Sequence, residues 1–133
     1  MADPADIASR FAAAPVARLA TVASEGTPHL VPVVFAMRDQ TVLTAVDGKP
    51  NSTQRLKRLA NIAANPQVSL LVDHYADDWS TLWWIRADGI AQIIEDDPAL
   101  DLLRAKYPQY QTVSLGGPVI CIEILRWASW GLG

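Results

Sequence analysis

The chain has 133 residues, half of them hydrophobic and 19% charged, with a formal net charge of -3 and a pI near 5.2. That length suits one domain, residues 1–133, with a real core, and the acidic balance argues against nucleic-acid binding, which wants a basic domain. The single cysteine, Cys121, excludes an internal disulfide framework. No basic segment leads into an apolar run as a secretory signal would, and the longest apolar segments, such as Val31 to Met37, are strand-length and span no bilayer. The expectation is a cytoplasmic protein.

Asp3-Pro4-Ala5-Asp6 predicts a helix start, with an acid at the N-cap, proline at the first helical position and an acid at the third. Ile7 and Phe11 supply its buried face, and it ends before Pro15. Val16 to Ala23 reads as a strand, Ser24 to Thr27 as a turn, and Pro28 to Arg38 as a second strand with Pro32 inside it. A proline there marks an edge, a bulge or a ligand-facing interruption, because it has no N–H for the ladder. After a turn at Asp39-Gln40 comes a third strand, Thr41 to Val46, completing an antiparallel meander.

From Gly48 to Val72 there is no acidic residue, yet Lys49, Arg55, Lys57 and Arg58 sit there, four of the chain's eleven basic residues. Asn51, Ser52 and Thr53 are possible N-caps of a short helix that Asn65-Pro66 stops. Leu56, Leu59, Ala60 and Ala63 form its apolar stripe, while Gln54, Arg58 and Asn61 share a polar face. Cations at a helix N-terminus oppose the macrodipole, and a phosphate on the free N–H groups would reverse that cost. Two readings stand at this point, a solvated basic face and an anion anchor.

Downstream, Gln67 to Tyr75 reads as a mostly buried strand and Ala76 to Trp79 as a loop. Ser80 to Ile94 is a strand pair or one bent strand. Asp96-Asp97-Pro98 caps a helix to about Tyr107, Ser114 to Pro118 is a loop, and Val119 to Trp127 is a final strand. Many short strands and few helices suggest an antiparallel barrel.

Conventional catalytic motifs are missing: no GxSxG, GxGxxG, Walker loop, CxxC or HExxH occurs. His29 and His74 lie far apart with no carboxylates clustered for a metal, and Cys121 reads as a buried core thiol. An enzyme with so little acid–base equipment needs a cofactor that brings its own chemistry. Among five tryptophans, the adjacent Trp83 and Trp84 must point to opposite faces of a strand, so one of them meets a ligand, a partner or solvent.

The segments GTPHLVPVVF, LKRLANIAANPQVSLLVD, HYADDWSTLWWIRADG and RWASW together resemble the pyridoxamine-5'-phosphate-oxidase-like split β-barrel family, over nearly the whole chain. More narrowly they resemble its branch of coenzyme F-420 (deazaflavin)-dependent oxidoreductases. The resemblance implies a mainly β, α+β fold, a split antiparallel β-barrel of FMN-binding type with short flanking helices. It also implies a homodimer with the cofactor at the interface, and hydride transfer to a small molecule with an electron-poor double bond, such as an enone, a quinone or a biliverdin-like tetrapyrrole. Lys57 and Arg58 match the pair that contacts the cofactor phosphate, with Lys49, Arg55 and Asn61 near it. His29, Leu30, Val31, Pro32, Val33 and Val34 match the strand along the ring, where the missing N–H of Pro32 would break the ladder. Trp79 and Trp84 are implied pocket-lining residues. Relatives often carry further Lys or Arg after the positions of Lys49-Pro50; this chain has Asn51 and Ser52, which keeps FMN as the alternative cofactor and a non-catalytic flavin- or tetrapyrrole-binding protein as the alternative role.

Overall fold

The computed structural model describes residues 3–45, 53–113 and 115–132, the side chains of 53–56 excepted. Helix α1 (Pro4–Ala13) starts as its sequence dictates: the Asp3 carboxylate caps the Ala5 N–H at 2.9 Å, proline occupies the first turn, and Phe11 is fully buried. Strands β1 (Ala17–Val22) and β2 (Pro28–Val33) form an antiparallel hairpin. β3 (Ala36–Arg38) and β4 (Thr41–Ala45) form another, turned at Asp39, which takes the positive φ of 56° that aspartate tolerates.

The predicted single strand from Pro28 to Arg38 is therefore two strands. They are not neighbours either: the seven-stranded antiparallel sheet runs β2-β1-β5-β6-β7-β4-β3, with β2 and β3 at opposite edges, so the expected meander is absent. Phe35 explains the break. Val33, Phe35 and Ala36 are all buried, and a continuous strand would have turned alternate residues outward. The chain instead crosses the barrel through its core.

Helix α2 (Thr53–Ala64) leads into β5 (Gln67–His74). β6 (Trp83–Ile94) is one strand, despite an Asp88-Gly89 pair that resembles a hairpin turn. The pair marks a bulge instead: Asp88 faces Arg126, Gly89 faces Ile124, and Leu125 is left over. A Cβ on Gly89 would strike the Glu123 carbonyl, so only glycine fits this approach. After α3 (Asp97–Lys106), capped by Asp96 on the Ala99 N–H as predicted, β7 (Val119–Trp130) extends three residues beyond the expected end. Trp83 and Trp84 do point to opposite faces. Trp83 turns inward beneath Arg10 and Trp84 outward beside Trp130.

Two hydrophobic clusters divide the sheet. The larger fills the barrel with Phe11, Leu19, Phe35, Leu70, Ile85 and Ile122, and Trp83 and Trp127 pack on it. The smaller seats Leu100, Leu103 and Tyr107 against Ala36, Leu43 and Val119 on the outside of β3, β4 and β7. β4 is consequently buried on both faces, and Cys121 is a half-buried neighbour of this second cluster, with its thiol pushed up by burial. None of the helices among the described residues is long and apolar enough to cross a membrane.

Tyr107 ties these parts together. Its hydroxyl accepts the Phe35 N–H at 3.0 Å and faces the carbonyls of Pro15 at 3.0 Å and Phe35 at 2.9 Å, between which its single proton is shared. Beside it, the Lys106 ammonium donates to the carbonyls of Ala12 and Ala14 at the end of α1 and lies 3.9 Å from the Phe35 ring centroid.

Replacing Tyr107 by Phe leaves the buried Phe35 N–H without its acceptor and should cost about 1–3 kcal/mol in urea unfolding. Burial pushes Lys106 down from 10.5 to about 8, so just above pH 8 the unfolded chain holds a proton that the folded chain has released, and stability rises with pH. The rise should be visible from about pH 8 to 9. Beyond that, Cys121 and Tyr107, whose folded values are raised, ionise first in the unfolded chain and oppose it. Lys106→Met should abolish the rise in the urea midpoint over this window.

Candidate functional site

The α1, α2 and α3 helices leave one part of the sheet bare: the outer face of β2, β1, β5, the first half of β6 and the end of β7. Three of the large exposed apolar side chains, Leu30 at 67%, Leu125 at 64% and Trp130 at 53%, belong to these strands. The bare face holds a groove of about 580 Å³ walled by Ala20, Val22, Ile90 and Leu125.

Asp88 lines the groove with Ser69, Arg86 and Arg126. It accepts from Ser69 at 2.7 Å, from Arg86 at 3.0 and 3.2 Å, and from Arg126 at 3.1 and 2.9 Å. Burial alone would raise the Asp88 carboxyl, but the hydrogen bonds from Ser69, Arg126 and Arg86 outweigh it and hold the group below the usual range. Two guanidiniums on one carboxylate leave the hub positive. Sequence reading missed it because an Asp-Gly pair signals a turn and because Arg126 is 38 residues away.

The basic helix meets the β1–β2 hairpin at one end of this face. Its buried side differs from the predicted stripe: Asn61 and Ile62 are buried and Leu59 half-buried, while Ala60 and Ala63 face solvent. Alanine has little surface to hide, so the larger Leu59 and Ile62 set the helix rotation. Asn61 donates through Nδ2 to the Thr21 hydroxyl at 3.1 Å, and Thr21 is paired with His29 across the ladder. Arg58, half-buried and one turn before Asn61, is thereby carried toward the same row. Lys57 is exposed. Its charge acts on Glu25 in the hairpin turn, whose carboxyl is held low mainly by its turn backbone and Thr27, with Lys57 contributing least. The acid-free stretch thus meets an acid in space that no local reading could supply.

β2 points His29, Val31 and Val33 inward and Pro28, Leu30 and Pro32 outward. The bond from the Ala23 N–H to the Thr27 carbonyl at 2.9 Å sets the phase of the ladder. Residues 29, 31 and 33 therefore bond β1, while 28, 30 and 32 direct their backbone groups off the edge. Pro32 breaks nothing, contrary to expectation, since pairing runs from Ala17–Val33 to Val22–Pro28. It is the edge proline of an edge strand, and between Pro28 and Pro32 the free edge of β2 presents the N–H of Leu30 alone.

Val34 follows β2, its carbonyl accepting the Thr44 hydroxyl at 2.7 Å. Its side chain joins Pro15, Val16, Tyr107, Tyr110 and Val113 around a second cavity of about 330 Å³.

The structure thus brings His29, Arg58 and Asn61 together, with Lys57 at the rim and Leu30 to Val34 running from it. It does not bring Trp79 or Trp84 there. Trp84 pairs with Asp73, six residues along β6 from Ile90, which pairs with Gln67 level with the hairpin end. At roughly 3.3 Å per residue that is about 20 Å. Trp79, 78% exposed, belongs to the same far end. Lys49 and the Arg55 side chain lie outside the described residues. No cluster of metal-binding side chains occurs among the described residues.

A family model described as pyridoxamine 5'-phosphate oxidase matches residues 4–131. No curated relative matches the chain. Similar solved structures include a conserved hypothetical protein from Mycobacterium tuberculosis (24% identity, TM-score 0.77, covering 98% of this chain and 85% of that one). An FAD-binding protein from Mesorhizobium loti is also similar (20%, 0.72, 96% and 94%), as is a heme storage protein from Vibrio cholerae (14%, 0.70, 98% and 94%).

Because Asn61 holds α2 to β1 through Thr21, Asn61→Ala should lower stability by about 1–3 kcal/mol. In a double-mutant cycle with Thr21→Val, a coupling indistinguishable from zero would show that the bond carries no weight.

Proposed function

The chain belongs to the pyridoxamine 5'-phosphate oxidase family, and from that premise we propose that it is an oxidoreductase using coenzyme F-420. The observation that carries this reading is the seat of a helix bearing Lys57 and Arg58, with no acid in its first turn, against the β1–β2 hairpin, with Asn61 on Thr21 and Lys57 near Glu25 of the turn. The residues fit a phosphate-bearing ring cofactor. Lys57 and Arg58, with Arg55 and Lys49, hold the phosphate; the strand from His29 to Val34 places the ring, with the Leu30 N–H available to a ring carbonyl. Asn61 positions the helix. The apolar residues beside this strand exclude water.

When bound, the reduced deazaflavin supplies a hydride from its C5 to an electron-poor double bond. The accompanying proton would come from water, so that hydride and proton together would saturate the acceptor's double bond. No described side chain is assigned as proton donor.

The site belongs to a homodimer. A second copy covering the bare face would bury Leu30, Leu125 and Trp130, and would bring its own Trp84 and Trp79 toward the β2 edge. Asn51 and Ser52, together with Glu25 beside Lys57, favour FMN as the second reading, since FMN has a phosphate and no acidic tail. Binding without turnover is a third, supported by folds similar to the heme storage protein.

Titration with coenzyme F-420 should quench tryptophan fluorescence, and FMN should compete weakly. Lys57→Ala with Arg58→Ala should weaken binding by more than about a hundredfold, since two charge-assisted bonds of roughly 1.5–3 kcal/mol each sum to about 3–6 kcal/mol, with the unfolding midpoint little changed. Unaltered affinity would remove the phosphate assignment.

A further inference from the structure

The groove on the bare face takes its shape from the register of four strands. Ala20 pairs with Ser69, Ser69 with Asp88 and Asp88 with Arg126, so these residues form one row across β1, β5, β6 and β7. The row is low at its β1 end, where Ala20 and Ser69 are small, and charged at its β7 end. Two residues along the strands, Val22 and Ile90 raise an apolar wall, and Leu125, set out by the bulge, lines the groove with them. The volume of about 580 Å³ lies well within the range of ligand pockets, roughly 300–1,000 Å³.

Asp88 has no capacity left for a ligand. A carboxylate offers about four lone-pair sites, and Asp88 already accepts once from Ser69 and twice from each arginine. The arginines are different. Each binds Asp88 through Nε and Nη2, and among the described residues Nη1 of neither has a partner. Asp88 thus holds two guanidiniums in fixed orientation and leaves donors on both. Two cations against one anion give the lining a single excess positive charge.

Three properties follow for an occupant. It is not a cation, because the hub offers it no acceptor. It carries one negative charge on a group that accepts from guanidinium N–H donors, and a carboxylate matches that geometry. Its remainder is apolar and short, because the row spans three strand spacings, about 14 Å, and the wall stands about 7 Å along the strands from it.

We infer that this groove binds a monocarboxylate with a flat apolar body of about two fused rings, its carboxylate on Arg86 and Arg126 and its rings against Ala20, Val22, Ile90 and Leu125. The site uses neither the basic helix nor the β2 edge, so its binding does not depend on the oxidoreductase reading. It shares the bare face with the proposed second copy, which must bridge the groove rather than fill it.

The test is isothermal titration of the full chain with 2-naphthoate, and with 2-naphthamide, which has the same shape without the charge. The wild type should bind the carboxylate at least tenfold more tightly than the amide, and acetate, which has the charge without the rings, should not displace it. Arg126 is 71% exposed, so Arg126→Gln should fold. It should bind 2-naphthoate at least tenfold more weakly and 2-naphthamide as the wild type does, with Arg126→Lys between the two. Leu125→Asn, also at an exposed position, should weaken both ligands severalfold. F-420 affinity should be the same throughout. No binding of 2-naphthoate by the wild type, as when a partner fills the groove, would overturn the assignment. So would equal affinity for the amide, displacement by acetate, or an Arg126→Gln variant that binds as the wild type does. The two readings fail separately: F-420 binding without 2-naphthoate binding removes the groove assignment alone, and the reverse removes the oxidoreductase reading alone.

Discussion

The crossing from β2 to β3 is the constraint on which the rest of this structure depends. Two strands consecutive in the chain lie at opposite edges of one sheet, so the segment between them must pass through the core with its backbone polar groups satisfied. Tyr107 and Thr44 provide for this. The first bonds both the N–H and the carbonyl of Phe35, and the second bonds the carbonyl of Val34. Because Tyr107 ends α3 and also bonds Pro15, the same hydroxyl fixes where α1 hands over to β1 and where α3 sits.

From that tie follows the division of the outer surface. α3 is drawn onto β3, β4 and β7, while α1 and α2 pack on the barrel interior and its end, leaving β2, β1, β5 and the adjoining parts of β6 and β7 uncovered. The basic helix, the proline-flanked edge and the Asp88 hub all border this one surface. Asp88 illustrates why a charge there is tolerable: it is surrounded by donors rather than buried alone, and its second arginine arrives through a bulge that only Gly89 permits.

The proposed chemistry distributes labour accordingly. Cations would hold the phosphate of a cofactor, and the edge strand would aim its ring. Neither role asks the chain for a nucleophile or a general base, consistent with a sequence in which no such constellation occurs.

Much was legible beforehand. Asp3-Pro4 and Asp96-Asp97-Pro98 determined two helix starts, because capping is satisfied within a few residues. The alternation of Trp83 and Trp84 determined opposite faces, because strand geometry is local, and the family resemblance determined the split barrel. What only the tertiary structure decided involves partners distant in sequence: the break at Val34-Phe35, which follows from burial on both sides of the crossing; the rotation of α2, set by Ile62 and the Asn61–Thr21 bond rather than by its alanines; Glu25 opposite Lys57; and the single strand through Asp88-Gly89. A pattern along the chain reports which side of an element is apolar, but the choice of neighbours depends on long-range contacts that leave no local period.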